Sequence, residues 1–165
     1  MKNRAPSSTH KKVVVLLLEG APARGYLNPA TLGRSETVDL LTPEGEQHLV
    51  PLKEVKSVHF VREFLEPFEL DRKTFLSRPK LDGLWVRLRF RDGDVMEGMV
   101  ANDLLDLLDT GVQLTPPDLH GNSLRMFVPR SALEEMKVLG VVGVARRAGR
   151  PAHGAAVAQP KLFSE

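Results

Sequence analysis

Val86-Arg87-Leu88-Arg89-Phe90-Arg91-Asp92-Gly93 alternates apolar and basic residues and then stops at a turn dipeptide. Leu84, Val86, Leu88 and Phe90 fall on one side of an extended chain, and Trp85, Arg87, Arg89 and Arg91 on the other, because successive side chains of a strand point to opposite faces. Asp92-Gly93 supplies a residue that tolerates positive φ; after four intervening residues Gly98-Met99-Val100 resumes an apolar strand. A strand, a tight turn and a returning strand make a β-hairpin.

The same features recur near the start of the chain. Val13-Val14-Val15-Leu16-Leu17-Leu18-Glu19-Gly20 is followed by four residues, Gly25, and then Tyr26-Leu27. The echo continues downstream. Thr37-Val38-Asp39-Leu40 leads to Pro43 as Gly111-Val112-Gln113-Leu114 leads to Pro116, and Leu49-Val50-Pro51 answers Phe127-Val128-Pro129. After each Val-Pro come three residues and an apolar pair, Val55 with Val58 and Leu133 with Met136. Proline removes a ladder donor, so a one-turn 3₁₀ helix and a last short strand are expected there. Gly25 and Gly98 fall inside the second strand, where a missing side chain permits close backbone approach. The expected fold is all-β: two tandem small antiparallel barrels, each of about five short strands, with short helical turns and flexible tails.

The expected boundaries are a flexible basic tail over 1–11, a first barrel over 12–62, a packed connector over 63–83, a second barrel over 84–143 and a flexible tail over 144–165. Phe64, Leu65, Phe68, Leu70, Phe75 and Leu76 make the connector too apolar for a free linker, so it should pack against the first barrel. A helical turn is expected across Arg72 to Leu76. Another is expected in Asp103-Leu104-Leu105-Asp106-Leu107-Leu108-Asp109, with the aspartates as a solvated face around buried leucines.

Hydrophobic residues form 42% of the 165-residue chain, enough for a real core. Its longest early apolar run, Val13 to Leu18, has six residues, against roughly 20 for a spanning helix, so no membrane partner is expected and cytoplasmic residence is the default. Zero cysteines exclude disulfides, thiol nucleophiles and cysteine-ligated metals. The net charge of +2 conceals a division. Removing the eight basic and one acidic residues of 1–12 and 144–165 from totals of 23 and 21 leaves 15 basic and 20 acidic, a net of −5 over 13–143. An acidic body with basic tails is the reverse of a barrel that grips phosphates with its main surface.

The pattern resembles the small β-barrels of the Sm-like and SH3-like group. It looks more closely like uncharacterised bacterial proteins, a domain of unknown function, in which Phe-x-Asp-Gly-x-x-x-x-Gly begins a barrel and Lys-x-Val-x-Phe-Val-Arg-x-Phe closes it. Phe90-Arg91-Asp92-Gly93 to Gly98 matches the first motif and Lys56-Ser57-Val58-His59-Phe60-Val61-Arg62-Glu63-Phe64 the second. The other copy of each motif is degraded, with Leu18-Glu19-Gly20 and Met136-Lys137-Val138-Leu139 in those places. The resemblance implies no biochemical activity.

Catalysis has little support, and no catalytic residue, cofactor or metal site is assigned. The five histidines are scattered outside any metal-ligand spacing, and no nucleophile elbow or phosphate-binding loop appears. His59 reads as a structural strand residue. Asp92, Asp94 and Glu97 read as turn formers. Val14, Leu16 and Leu18 stand where the second copy has arginines; this apolar face should be covered by the connector, the other barrel or a partner subunit. It is the expected self-association interface. Trp85 with Arg87, Arg89 and Arg91 offers an alternative nucleic-acid surface, since an aromatic beside guanidinium groups can stack a base and hold phosphate; neighbouring acids such as Asp94 or Glu97 would instead pair with them. In the C-terminal tail, Arg146 and Arg150 resemble half of a cyclic-dinucleotide motif whose partner motif is absent, and read as a solvated tail. Gln159, Leu162 and Phe163 resemble a sliding-clamp docking peptide. The expected function is a non-enzymatic regulatory or scaffolding module with a protein partner or a second copy as its ligand; a nucleic-acid-binding protein is the alternative.

Overall fold

The computed structural model describes residues 4–143. Ten strands follow in order: β1 Lys11–Leu17, β2 Ala23–Leu27, β3 Thr37–Leu41, β4 Gln47–Pro51, β5 Val55–Val61, β6 Gly83–Phe90, β7 Val95–Val100, β8 Gly111–Thr115, β9 Ser123–Pro129 and β10 Leu133–Val142. They form one antiparallel sheet of order β10-β6-β7-β8-β9-β5-β1-β2-β3-β4. Each half runs from its fifth strand to its first, second, third and fourth. Instead of two separately closed barrels, the described residues form one open sheet, because β5 gives its outer edge to β9 of the other half.

The repeat extends to the register. Val13 faces Gly25 as Val86 faces Gly98; Val38 faces Val50 as Val112 faces Val128; Val15 faces Val58 as Leu88 faces Met136. Even the irregularity recurs, with Lys56 skipped in the β1–β5 ladder and Glu134 in the β6–β10 ladder. Such a bulge bends the strand and re-aims the extra side chain.

Both turn glycines have positive φ, 105° at Gly20 and 90° at Gly93. At Gly25 a Cβ would fall on the Leu41 carbonyl oxygen, and at Gly98 on the tip of Leu114. A 3₁₀ turn follows each Val-Pro, at Leu52–Glu54 and at Arg130–Ala132, and a third spans Pro29–Thr31 behind the Asn28 cap. Helix α1, Leu104–Leu107, starts where Asp103 Oδ1 accepts from Leu105 N at 3.0 Å. One expectation fails here: Leu104, Leu105 and Leu108 are exposed, and of this stretch Leu107 packs on the second core. A single turn directs its side chains around the axis and cannot hide four leucines at once.

Each half has a core, built on Val13, Val15, Leu40, Val55 and Val58 in the first and on Val86, Leu88, Phe90, Met126 and Val128 in the second. The two interlock at the β5–β9 seam. Phe127 of β9 belongs to the first core, while Leu18 packs against the second. The connector packs on both halves rather than on the first alone: Phe64 meets Tyr26 edge-on at 5.5 Å, Phe68 tilts onto His59 at 4.8 Å, Leu70 joins the second core, and Phe75 meets Trp85 at 6.3 Å. The helical turn expected across Arg72 to Leu76 is not formed. Its backbone bonds go to β7 instead, with Phe75 N donating to Glu97 Oε1 at 3.1 Å and Glu97 N to Lys73 O at 2.7 Å.

Candidate functional site

Among the described residues, two strands of the sheet have a neighbour on one side alone: β4 and β10. The repeat shows what such an edge lacks. In β5, Val55, Val58, Phe60 and Val61 are all buried, with β9 alongside. The residues at the same positions of β10 are Leu133, Met136, Val138 and Leu139; Val138 is 49% exposed and the others are half-buried. The contrast repeats between the fourth strands. Phe127 of β9 is 3% exposed, whereas Leu49, its counterpart in β4, is 55% exposed. Val141, near the end of β10, is also open to solvent. Unpaired strand edges with apolar side chains are templates for another chain.

The covered edge shows how such a template is filled. At the seam, β5 and β9 pair Val58 with Phe127, His59 with Met126 and Phe60 with Arg125. The Arg125 guanidinium lies 4.6 Å from the Phe60 ring centroid. His59 is buried, with Nε2 3.0 Å from Ser57 Oγ and Nδ1 3.2 Å from Ser123 Oγ. Burial pushes its imidazole down to about 3, and the nearby Lys56 charge acts in the same direction. The ring is therefore neutral, held by two hydroxyls across two strands.

Beside it the bulge residue Lys56 reaches the second hairpin, with Nζ 2.8 Å from both Asp92 Oδ2 and Asp94 Oδ2 and 5.0 Å from the Phe90 ring centroid. Lys73 of the connector completes the network at 2.7 Å from Asp94. Burial alone would raise the two carboxyls, but hydrogen bonds from Lys56, joined at Asp94 by Lys73, hold both below the ordinary range. Asp94 N also donates to Asp92 Oδ1 at 3.0 Å, the turn-forming role expected of these residues. A pocket of about 350 Å³ lies over this network, lined by Leu16, Lys56, His59, Phe68, Lys73 and Met126 among others. Ser123 was not legible as a partner of His59, nor Lys56 as a partner of Asp94, because these contacts join residues 64 and 38 apart in the chain.

The arginine face is occupied by the chain's own acceptors. Arg87 lies 3.8 Å from Glu97, Arg89 lies 2.8 Å from Glu135, and Arg91 Nε donates to Ser131 O. The half-buried Trp85 donates from Nε1 to Glu97 Oε1 at 3.0 Å. Glu97 is the partner expected for these arginines, whereas Asp94 serves the lysines. On β1, Val14 is buried and Leu16 is half-buried, as is Leu18 just beyond its end. Leu16 lines the seam pocket and Leu18 packs on the second core, so much of this face is covered from within. Gln159, Leu162 and Phe163, with Arg146 and Arg150, lie outside the described residues.

Among the described residues no group of three or more His, Asp or Glu side chains is placed to hold a metal ion, and no helix is long and apolar enough to cross a membrane. No curated protein and no solved structure matches the chain. The model of one family, described as a family of unknown function (DUF6982), matches residues 9–140. With its repeated halves inside that single match, the chain belongs to this family of unknown function.

Proposed function

We propose that this chain is a non-enzymatic scaffolding module that binds protein through its open sheet edges. The observation that carries this is the difference between β5 and β10. Residues at equivalent positions are buried in β5, which has a strand on both sides, and half-buried or exposed in β10, which has one on a single side among the described residues. Burying Leu49, Val138 and Val141 would stabilise a complex by roughly 1.5–3 kcal/mol for each side chain fully removed from water. The strand order repeated in each half supports reading both as small-barrel units of the Sm-like or SH3-like kind, opened at the seam.

The nucleic-acid reading of Trp85, Arg87, Arg89 and Arg91 has less support. Their polar groups already have partners within the chain, and freeing them for phosphate would leave Glu97 and Glu135 facing the same anion. Capture from lysate on the immobilised chain tests the proposal against this alternative. Proteins retained by the wild type and by Arg87→Ser/Arg89→Ser, but lost with Val138→Lys, support edge binding. A bound set that Val138→Lys leaves unchanged rejects it.

A further inference from the structure

We infer that the partner of the open edges is a second copy of this chain, added head to tail so that β10 of one copy pairs with β4 of the next in the register that β5 and β9 use inside the chain. The inference rests on the edge-binding reading above and names its ligand. The β5–β9 seam joins the fifth strand of one half to the fourth strand of the other. The two edges left open among the described residues are a fourth strand, β4, and a fifth strand, β10. A contact already made within the chain thus has both of its halves unused at the ends of the same sheet.

The repeat specifies the intermolecular register. Val58 opposite Phe127 becomes Met136 opposite Leu49; His59 opposite Met126 becomes Lys137 opposite His48; Phe60 opposite Arg125 becomes Val138 opposite Gln47. Leu49 would enter the second core beside Met136 as Phe127 enters the first beside Val58. The half-buried state of Leu133 and Met136, where Val55 and Val58 are fully buried, marks the space that side chain would cover. Such a contact uses different patches on the two copies, so it propagates until a ring closes or a filament grows.

The polar parts of the seam do not carry over. Where Lys56 is clamped by Asp92 and Asp94, the intermolecular contact sets Glu134 near Glu19, both exposed. Where His59 is held by serines, it has Lys137. The contact between copies is therefore weaker than the internal seam, depends on concentration, and strengthens as added salt screens the two carboxylates.

The test is the mass of the full chain in solution, followed by sedimentation from low to high micromolar concentration, for the wild type, Leu49→Lys and Val138→Lys. Both substitutions fall on exposed side chains, so the fold should survive them, and circular dichroism checks that it does. The expected wild type reaches three or more copies of the 18.3 kDa chain, and more at higher salt. Each variant alone stays a monomer. An equimolar mixture of the two forms a species of two chains and nothing larger, because each supplies the edge the other lacks. A wild type that is monomeric throughout, a variant that still assembles alone, or a mixture that stays monomeric overturns the inference. If the wild type is monomeric while Val138→Lys still loses a captured protein, edge binding stands and self-assembly falls; if Val138→Lys alters no binding at all, both fall.

Discussion

Lys56 Nζ lies 2.8 Å from Asp94 Oδ2, joining the bulge of β5 in the first half to the first hairpin of the second. Burial would lower the Lys56 ammonium, but the hydrogen bonds and charges of Asp92 and Asp94 outweigh it and hold the lysine above its ordinary value. The carboxyls are held below theirs. Both shifts stabilise the folded state between the unfolded pKa values of about 4 and 10.4. Stability from the aspartates is lost as pH falls through their depressed values, and that from Lys56 as pH rises through its raised one. Lys56→Met leaves Asp92 and Asp94 side by side and should cost about 1–3 kcal/mol. A urea midpoint unchanged at pH 7 would show that the clamp contributes nothing.

His59 gives the seam a second pH dependence of known sign. Its folded-state value is depressed to about 3, so between that value and about 6.5 the unfolded chain binds a proton that the folded chain refuses. Stability should fall as pH drops from 7 toward 5, by at most about 1.4 kcal/mol per pH unit. His59→Gln keeps a donor and an acceptor but does not titrate there. Comparing urea midpoints at pH 7 and pH 5, the wild type should lose more stability than the variant; equal losses would remove His59 as the cause.

Glu97 binds the connector to β7, accepting from Trp85 Nε1 at 3.0 Å and Phe75 N at 3.1 Å. Glu97→Ala strands both donors and should destabilise by about 1–3 kcal/mol for each that stays buried. Trp85 is the single tryptophan of the chain, so its emission reports the change directly. A red shift with faster proteolysis around 72–76 is expected, and Glu97→Gln should restore part of both.

Gly25 and Gly98 hold equivalent places but meet different atoms. The Cβ of Gly25→Ala would strike the backbone oxygen of Leu41, which the β3 ladder holds in place, whereas that of Gly98→Ala would strike the movable tip of Leu114. Gly25→Ala should therefore be the more damaging, by about 1–3 kcal/mol, the usual range for forced overpacking. Thermal melts of the two variants check the order, and a larger loss at Gly98 would reverse it.

The hairpins, the close approach at Gly25 and Gly98, and the 3₁₀ turns after Val50-Pro51 and Val128-Pro129 were legible because each depends on neighbours in the chain. The seam was not. Nothing local distinguishes Val58, which lies between Val15 and Phe127, from Met136, which among the described residues faces Leu88 alone, since pairing between halves joins residues far apart in the chain. The alternation of the arginine strand is legible locally, and of the two acids near it that could serve as partners Glu97 does so, whereas Asp94 pairs with Lys56 and Lys73. Glu135 was not legible as a partner, because it comes from β10, 46 residues away. The exposed leucines of α1 show the same limit: their spacing reads as a buried face, but a helix of four residues has none to offer.

Backbone amide exchange across a concentration series tests the edge-binding account most directly, because it reads the two strands separately from overall mass. Protection should rise with concentration in Gln47–Pro51 and Leu133–Val142 together, and stay unchanged around Leu104, Leu105 and Leu108. Association that leaves both strands exchanging at their dilute rates, or that protects the leucine turn instead, would contradict it.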